Sequence, residues 1–136
     1  MAPSISIITA TYNCSHILRY AIASVLESDI DDWELIVVGD HCTDGTQDCV
    51  EGFADQRIRY FNLPVNSGQQ ATPNNFGLTK ARGEFVCYLN QDDMFLPWHL
   101  RQVRAVASKV PDSIVLARYF EVIVDDEATS GPALVF

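Results

Sequence analysis

The feature that most constrains this chain is a repeated exchange of short, β-branched apolar runs for segments whose apolar residues recur every three or four positions. Ser4 to Thr9 (S-I-S-I-I-T), Trp33 to Val38 (W-E-L-I-V-V), Ile58 to Asn62 and Phe85 to Leu89 read as strands, the first and last buried enough to need little alternation. Between them, Ile17, Leu18, Ala21, Ile22, Val25 and Leu26 form a helical stripe that Ser15 is placed to cap. A weaker helix is predicted over Gln47 to Ala54, and another over Thr72 to Ala81, with Pro73 in its first turn and Gly77 weakening its middle. Pro97 opens a last helix with Leu100, Val103, Ala107 and Val110 on one stripe, stopped by Pro111-Asp112. Beyond it, Ile114 to Val124 and Ala133 to Phe136 read as further strands. Strands that alternate with helices need crossover connections, so the predicted fold class is α/β: a mostly parallel sheet with helices on both faces, forming a single domain over residues 1–136.

Composition narrows the function classes. With 48% hydrophobic residues the chain carries enough apolar matter for a core, which excludes a disordered segment. A net charge of −9, with basic residues that do not cluster, argues against nucleic acid as a partner. No apolar run approaches the roughly 20 residues of a bilayer span. Met1-Ala2-Pro3-Ser4 lacks the basic start and long apolar stretch of a signal peptide, so no transmembrane segment and a cytoplasmic location are expected. Cys14, Cys42, Cys49 and Cys87 contain no C-x-x-C pair, and Cys87 reads as a small core residue, so neither a zinc site nor a disulfide framework is indicated.

In parallel sheets ligands gather beyond the carboxyl ends of the strands, where this chain places three polar clusters. The first is Thr9-Ala10-Thr11-Tyr12-Asn13, whose tyrosine ring suits a planar base. The second puts Asp40 directly after a strand, where a carboxylate can accept from a base N–H or a ribose hydroxyl. Within it Asp44 reads as a turn and cap residue, and His41 as a solvent-exposed loop histidine. The third, Asn90-Gln91-Asp92-Asp93, concentrates negative charge that a hard divalent cation relieves, although Asp93 also suits a turn cap. A diphosphate approaching so acidic a chain, without a Gly-rich phosphate loop, needs such a cation as go-between. Lys80 and Arg82 read as solvated charges at a helix end.

The segments I-S-I-I-T-A-T-Y-N, A-I-A-S-V-L, W-E-L-I-V-V-G-D-H-C-T-D-G-T, N-S-G-Q-Q-A-T-P-N-N-F-G-L and A-R-G-E-F-V-C-Y-L-N-Q-D-D-M-F-L-P, in that order, resemble family 2 glycosyltransferases of the GT-A fold. The resemblance implies an inverting transfer of a sugar from a nucleotide-diphospho-sugar, a UDP-sugar first among donors, to an acceptor hydroxyl. It places Ala10, Thr11, Tyr12, Asp40, Asn74, Asn90 and Gln91 against the donor and Asp92 on Mn²⁺ or Mg²⁺, as the last acid of a D-x-D motif. Asn90 stands where that motif usually has its first Asp, Gly39 stands before Asp40 where an Asp pair is usual, and Asn74 stands where relatives often carry an Arg. The resemblance also implies that the acceptor-binding half and its general base lie beyond residue 136; the apolar strands that such a half would cover form an exposed patch, so self-association through them is expected. The alternative is a module that binds a nucleotide or nucleotide sugar without turning it over. A dinucleotide-dependent oxidoreductase and a phosphoryl-accepting receiver both fail after the first strand, where Ala10-Thr11-Tyr12-Asn13 supplies neither G-x-G-x-x-G nor an acid.

Overall fold

The computed structural model describes residues 2–110. The strands read at Ile114 to Val124 and Ala133 to Phe136, and self-association through them, lie outside the described residues. Four strands, β1 (Ile5–Thr11), β2 (Trp33–Gly39), β3 (Ile58–Asn62) and β4 (Phe85–Tyr88), alternate with four helices, α1 (Ser15–Leu26), α2 (Thr46–Glu51), α3 (Ala71–Lys80) and α4 (His99–Ala107). All three pairings are parallel and the spatial order is β3-β2-β1-β4. The α/β expectation is met, and among the described residues no helix is long and apolar enough to cross a membrane.

β1 and β2 are buried along their whole lengths, which explains their lack of alternation. Ile5, Ile7, Leu35 and Val37 pack with Leu18, Ile22 and Val25 of α1, Val50 of α2 and Leu100 of α4 in one apolar cluster. The opposite face carries α3. A Cβ on Gly77 would lie 2.6 Å from Ile8 Cγ2, so the glycine that weakens this helix in isolation is what lets its backbone settle onto the sheet.

Four readings need correction. Among the described residues β4 pairs on one edge only, with β1; Phe85 and Cys87 pack on the core, whereas Val86 and Tyr88 are exposed. Val110 is exposed, although Leu100 and Ala107 of the same stripe are buried. α2 ends at Glu51, because Gly52 follows and Ala54 turns to φ 51°. Arg82 and Lys80 are not free solvated charges: Arg82 pairs with Glu34 at 2.7 Å, and the Lys80 ammonium lies 5.0 Å from the Phe76 ring centre. Cys87 is the core thiol expected, its pKa pushed up to about 12 by burial.

Glu34 is the buried acid that the sequence did not reveal. It is 1% exposed and accepts from Ser6 Oγ at 2.7 Å, the Arg82 N–H at 2.7 Å and Arg59 at 2.8 Å, while Arg59 also donates to the Lys80 carbonyl. β1, β2, β3 and the end of α3 are thereby tied together at the amino end of the sheet. Burial pushes the Glu34 carboxyl up, but the hydrogen bonds from Ser6 and Arg82 and the charge of Arg59 outweigh it and hold the group below its ordinary value.

Two outcomes follow. Gly77→Ala is expected to cost roughly 1–3 kcal/mol despite the better helix propensity of alanine, read by urea denaturation, because the new methyl group overpacks Ile8. Glu34→Gln is expected to cost roughly 1.5–3 kcal/mol at neutral pH. Because the folded carboxyl titrates below its unfolded value of 4.5, its contribution is present above that pH and fades as the pH falls through the folded value. The stability difference between wild type and E34Q should therefore shrink on acidification below about pH 4.5, and a difference that grows there would contradict the assignment.

Candidate functional site

Chain order and sheet order part company at β1. From there the chain steps outward to β2 and β3, then returns to place β4 on the other side, so the sheet has its topological switch between β1 and β4. β1 pairs with β2 through Thr11↔Gly39 but with β4 only through Ile8↔Tyr88, and the last backbone bond across that seam runs from the Leu89 N–H to the Ile8 carbonyl. Past it the two strand ends separate around a cleft of about 520 Å³.

Ala10, Thr11 and Tyr12 from the end of β1, Asp40 from the end of β2, and Asn90, Gln91 and Asp92 from the end of β4 all line this cleft. Asn74 does not. It sits one residue past Pro73, which does line the wall, so the helix turns its side chain away. The sequence reading missed Asn66, Gly68, Gln69 and Gln70, which also line it. The signal for them was present in a general form: their loop follows the carboxyl end of β3 and therefore lies on the same rim.

Asp40 is 5% exposed and works as the anchor of that missed loop. Its carboxylate accepts from the Ser67 N–H at 2.9 Å, the Ser67 hydroxyl at 3.0 Å and the Gly68 N–H at 3.1 Å, and its carbonyl accepts from Asn66 Nδ2 at 3.0 Å. Gly68 adopts φ 68°, the left-handed turn that aims its N–H back at the carboxylate. Gly39, where an acid was the usual partner of Asp40, has no room for a side chain: a Cβ there would lie 2.7 Å from both Asn62 Oδ1 and the Tyr60 hydroxyl. Asn62 in turn clasps Cys42 by two hydrogen bonds, Cys42 N–H to Oδ1 and Nδ2 to the Cys42 carbonyl, each at 2.8 Å.

The 39–46 loop is held from the other side by Asn13, which accepts from the Thr43 N–H at 2.8 Å while its own backbone sits at φ 45°. Asp44 does cap, but its reach is longer than expected. It accepts from the Ser15 N–H at 3.1 Å, so α1 is capped by this distant carboxylate and not by the Ser15 hydroxyl, and it also receives the Thr46 N–H and hydroxyl. Burial raises the Asp44 carboxyl, and the bonds from Thr46 and Ser15 more than offset this, holding it below its ordinary value. His41 is exposed, as read, with φ 64°.

The third cluster divides its work. Asn90 accepts from Gln70 Nε2 and donates to Asp93 Oδ2, both at 2.7 Å, joining the start of α3 to the loop after β4. Gln91 reaches the β1 end. Asp92 is exposed and makes no side-chain hydrogen bond among the described residues, which leaves its carboxylate available at the rim. Among the described residues no three His, Cys, Asp or Glu side chains gather closely enough to hold a metal alone. One available carboxylate does fit a hard cation of the Mg²⁺ class, which completes its shell with phosphate oxygens and water. Among the described residues no Lys or Arg lines the cleft.

Residues 6–132 match the family model of glycosyl transferase family 2. A β-1,3-glucosyltransferase of Campylobacter jejuni, acting on GalNAc(5)-diNAcBac-PP-undecaprenol, is 39% identical over 97 residues, covering 69% of this chain and 31% of its own length. The WfgD β-1,3-glucosyltransferase of Escherichia coli is 35% identical over 92 residues, covering 68% of this chain and 36% of its own. The crystal structure of S. aureus TarS in complex with UDP-GlcNAc superimposes with a TM-score of 0.74 at 26% identity, over 89% of this chain and 38% of that one. The chain thus spans about a third of the length of these curated relatives. It belongs to glycosyl transferase family 2 and has the GT-A arrangement of sheet and helices.

If Asp40 anchors the 66–68 loop, Asp40→Ala should cost roughly 1–3 kcal/mol, since it strips the Ser67 and Gly68 N–H groups of their acceptor. Limited proteolysis should then cut near Gln69 and Gln70 faster than in wild type, and equal cutting rates would contradict the anchor.

Proposed function

We propose that this member of glycosyl transferase family 2 takes the nucleotide diphosphate of an activated sugar into the cleft at the β1/β4 seam and passes the sugar to an acceptor hydroxyl with inversion, assisted by Mn²⁺ or Mg²⁺. The observation that carries the reading is that Tyr12, Asp40 and Asp92, from three separate strand ends, line one cleft. The UDP-GlcNAc complex of TarS supports a UDP-sugar as the first donor to test.

In this reading the exposed Tyr12 ring takes the flat face of the base, and Asp40, which Ser67 and Gly68 hold in place, accepts from the base edge. The carboxamides of Asn66, Gln69 and Gln70 offer neutral donors and acceptors to the ribose and sugar hydroxyls. Asp92 holds the cation, which when bound offsets the charge that develops on the leaving diphosphate. That role matters more here than in a basic site, because Asp40 and Asp92 would otherwise repel the phosphates and, among the described residues, no Lys or Arg lines the cleft to balance them. The acceptor hydroxyl attacks the anomeric carbon from the face opposite the diphosphate, and a carboxylate takes its proton. Asp40 and Asp92 are engaged on the donor side and Asp93 with Asn90, so that base comes from outside the described residues.

Calorimetric titration of UDP into the chain, with Mn²⁺ and with chelator, tests this directly. Binding is expected only with the metal, weakened at least about tenfold by Asp92→Ala and by a similar factor in Tyr12→Ala, consistent with the loss of one stacking platform. Equal binding by Asp92→Ala, or none by wild type, would overturn it.

A further inference from the structure

Gln91 stands between Asn90 and Asp92 in the third cluster, and its side chain bridges from the end of β4 to the end of β1. Its Oε1 accepts from the Thr11 hydroxyl at 2.7 Å and from the Tyr12 N–H at 3.1 Å. The backbone ladder between β1 and β4 has already ended at Ile8 and Leu89. Thr11 and Tyr12 lie beyond that point, and Tyr12 is 52% exposed, so the ring is not fixed by burial. The N–H of Tyr12 and the hydroxyl beside it converge on one oxygen that comes from the far side of the seam. The neighbouring side chains do not share this duty: Asn90 binds Gln70 and Asp93, and Asp92 is free of side-chain bonds among the described residues.

We propose that Gln91 is a positioning residue, a strap across the seam that sets where the Tyr12 ring stands relative to Asp92, and hence the distance between the base and the diphosphate of a bound nucleotide. The inference rests on the proposed nucleotide-sugar reading of the cleft. It gives Gln91 a role through Tyr12, where the sequence alone suggested direct contact with the donor. A carbonyl oxygen is required at this position, since both partners are donors. A carboxylate supplies one, and an aliphatic side chain of the same length does not.

Two readouts on the full chain test the strap. Without nucleotide, amide hydrogen exchange at Tyr12 should be at least about tenfold faster in Gln91→Leu than in wild type and should return close to the wild-type rate in Gln91→Glu. Unchanged exchange in Gln91→Leu would overturn the proposal. With UDP and Mn²⁺, Gln91→Leu and Tyr12→Ala should each weaken binding by about tenfold, while the double variant should bind no more than about twofold more weakly than Tyr12→Ala alone, because the effect of Gln91 passes through the ring. If the two losses instead multiply while wild type binds normally, Gln91 acts independently of Tyr12 and the inference fails by itself. If wild type binds no UDP, the functional reading fails and takes the inference with it.

Discussion

Everything at the functional end of this molecule depends on how β1 is shared. It is buried on both faces and flanked on both edges, yet it bonds to β2 over seven residues and to β4 over four. The unequal ladders leave the last turn of the sheet open on one side only, and Ala10, Thr11 and Tyr12 emerge there with a single strand beside them. A sheet in which β4 ran as far as β2 would have no such opening. Past the ladder the strand ends are joined by polar side chains: Gln91 reaches across the seam to Thr11 and Tyr12, Asn90 reaches Gln70, and on the other side of β1 Asp40 holds Ser67 and Gly68.

The two ends of the sheet are held by different chemistry. At the amino end a buried carboxylate, Glu34, is matched by two guanidinium groups and a hydroxyl, a cluster that ties three strands to the end of α3. At the carboxyl end the clasps are mostly neutral amides and backbone N–H groups, and the carboxylates Asp40 and Asp92 stand without a basic residue among the described residues of the lining. Among the described residues positive charge is therefore concentrated away from the cleft, which is the physical ground for proposing a cation beside a phosphate-bearing ligand there.

Much of the architecture was legible from period and punctuation. β3 was bounded as it stands, and α1 and α3 to within a residue, because their apolar spacing and the flanking Gly, Pro and Asp residues carry the signal locally. What was not legible depends on partners distant in the chain. Gly77 read as a weak point because propensity is local, whereas its value lies in contact with Ile8 on a strand some seventy positions earlier. Arg82 read as solvated because the acid that pairs with it lies some fifty positions earlier, near the start of an apolar strand, where Glu34 showed only as an interruption. Of the expected donor-side residues, Tyr12, Asp40 and Asp92 meet as foreseen because each follows a parallel strand and such ends share a rim. Asn74 was carried over by resemblance and its helix phase points it elsewhere, and the 66–70 wall read only as loop.

The account's central claim is that the seam between β1 and β4 is a nucleotide-diphosphate site completed by a metal on Asp92. Its most direct test is a crystal structure of the chain soaked with UDP and Mn²⁺, with data collected at the manganese absorption edge. The expected result is one anomalous peak at coordination distance, about 2.0–2.3 Å, from the Asp92 carboxylate, with the base against Tyr12 and within hydrogen-bond reach of Asp40. A manganese peak or a base bound elsewhere on the surface, with the seam empty, would contradict it.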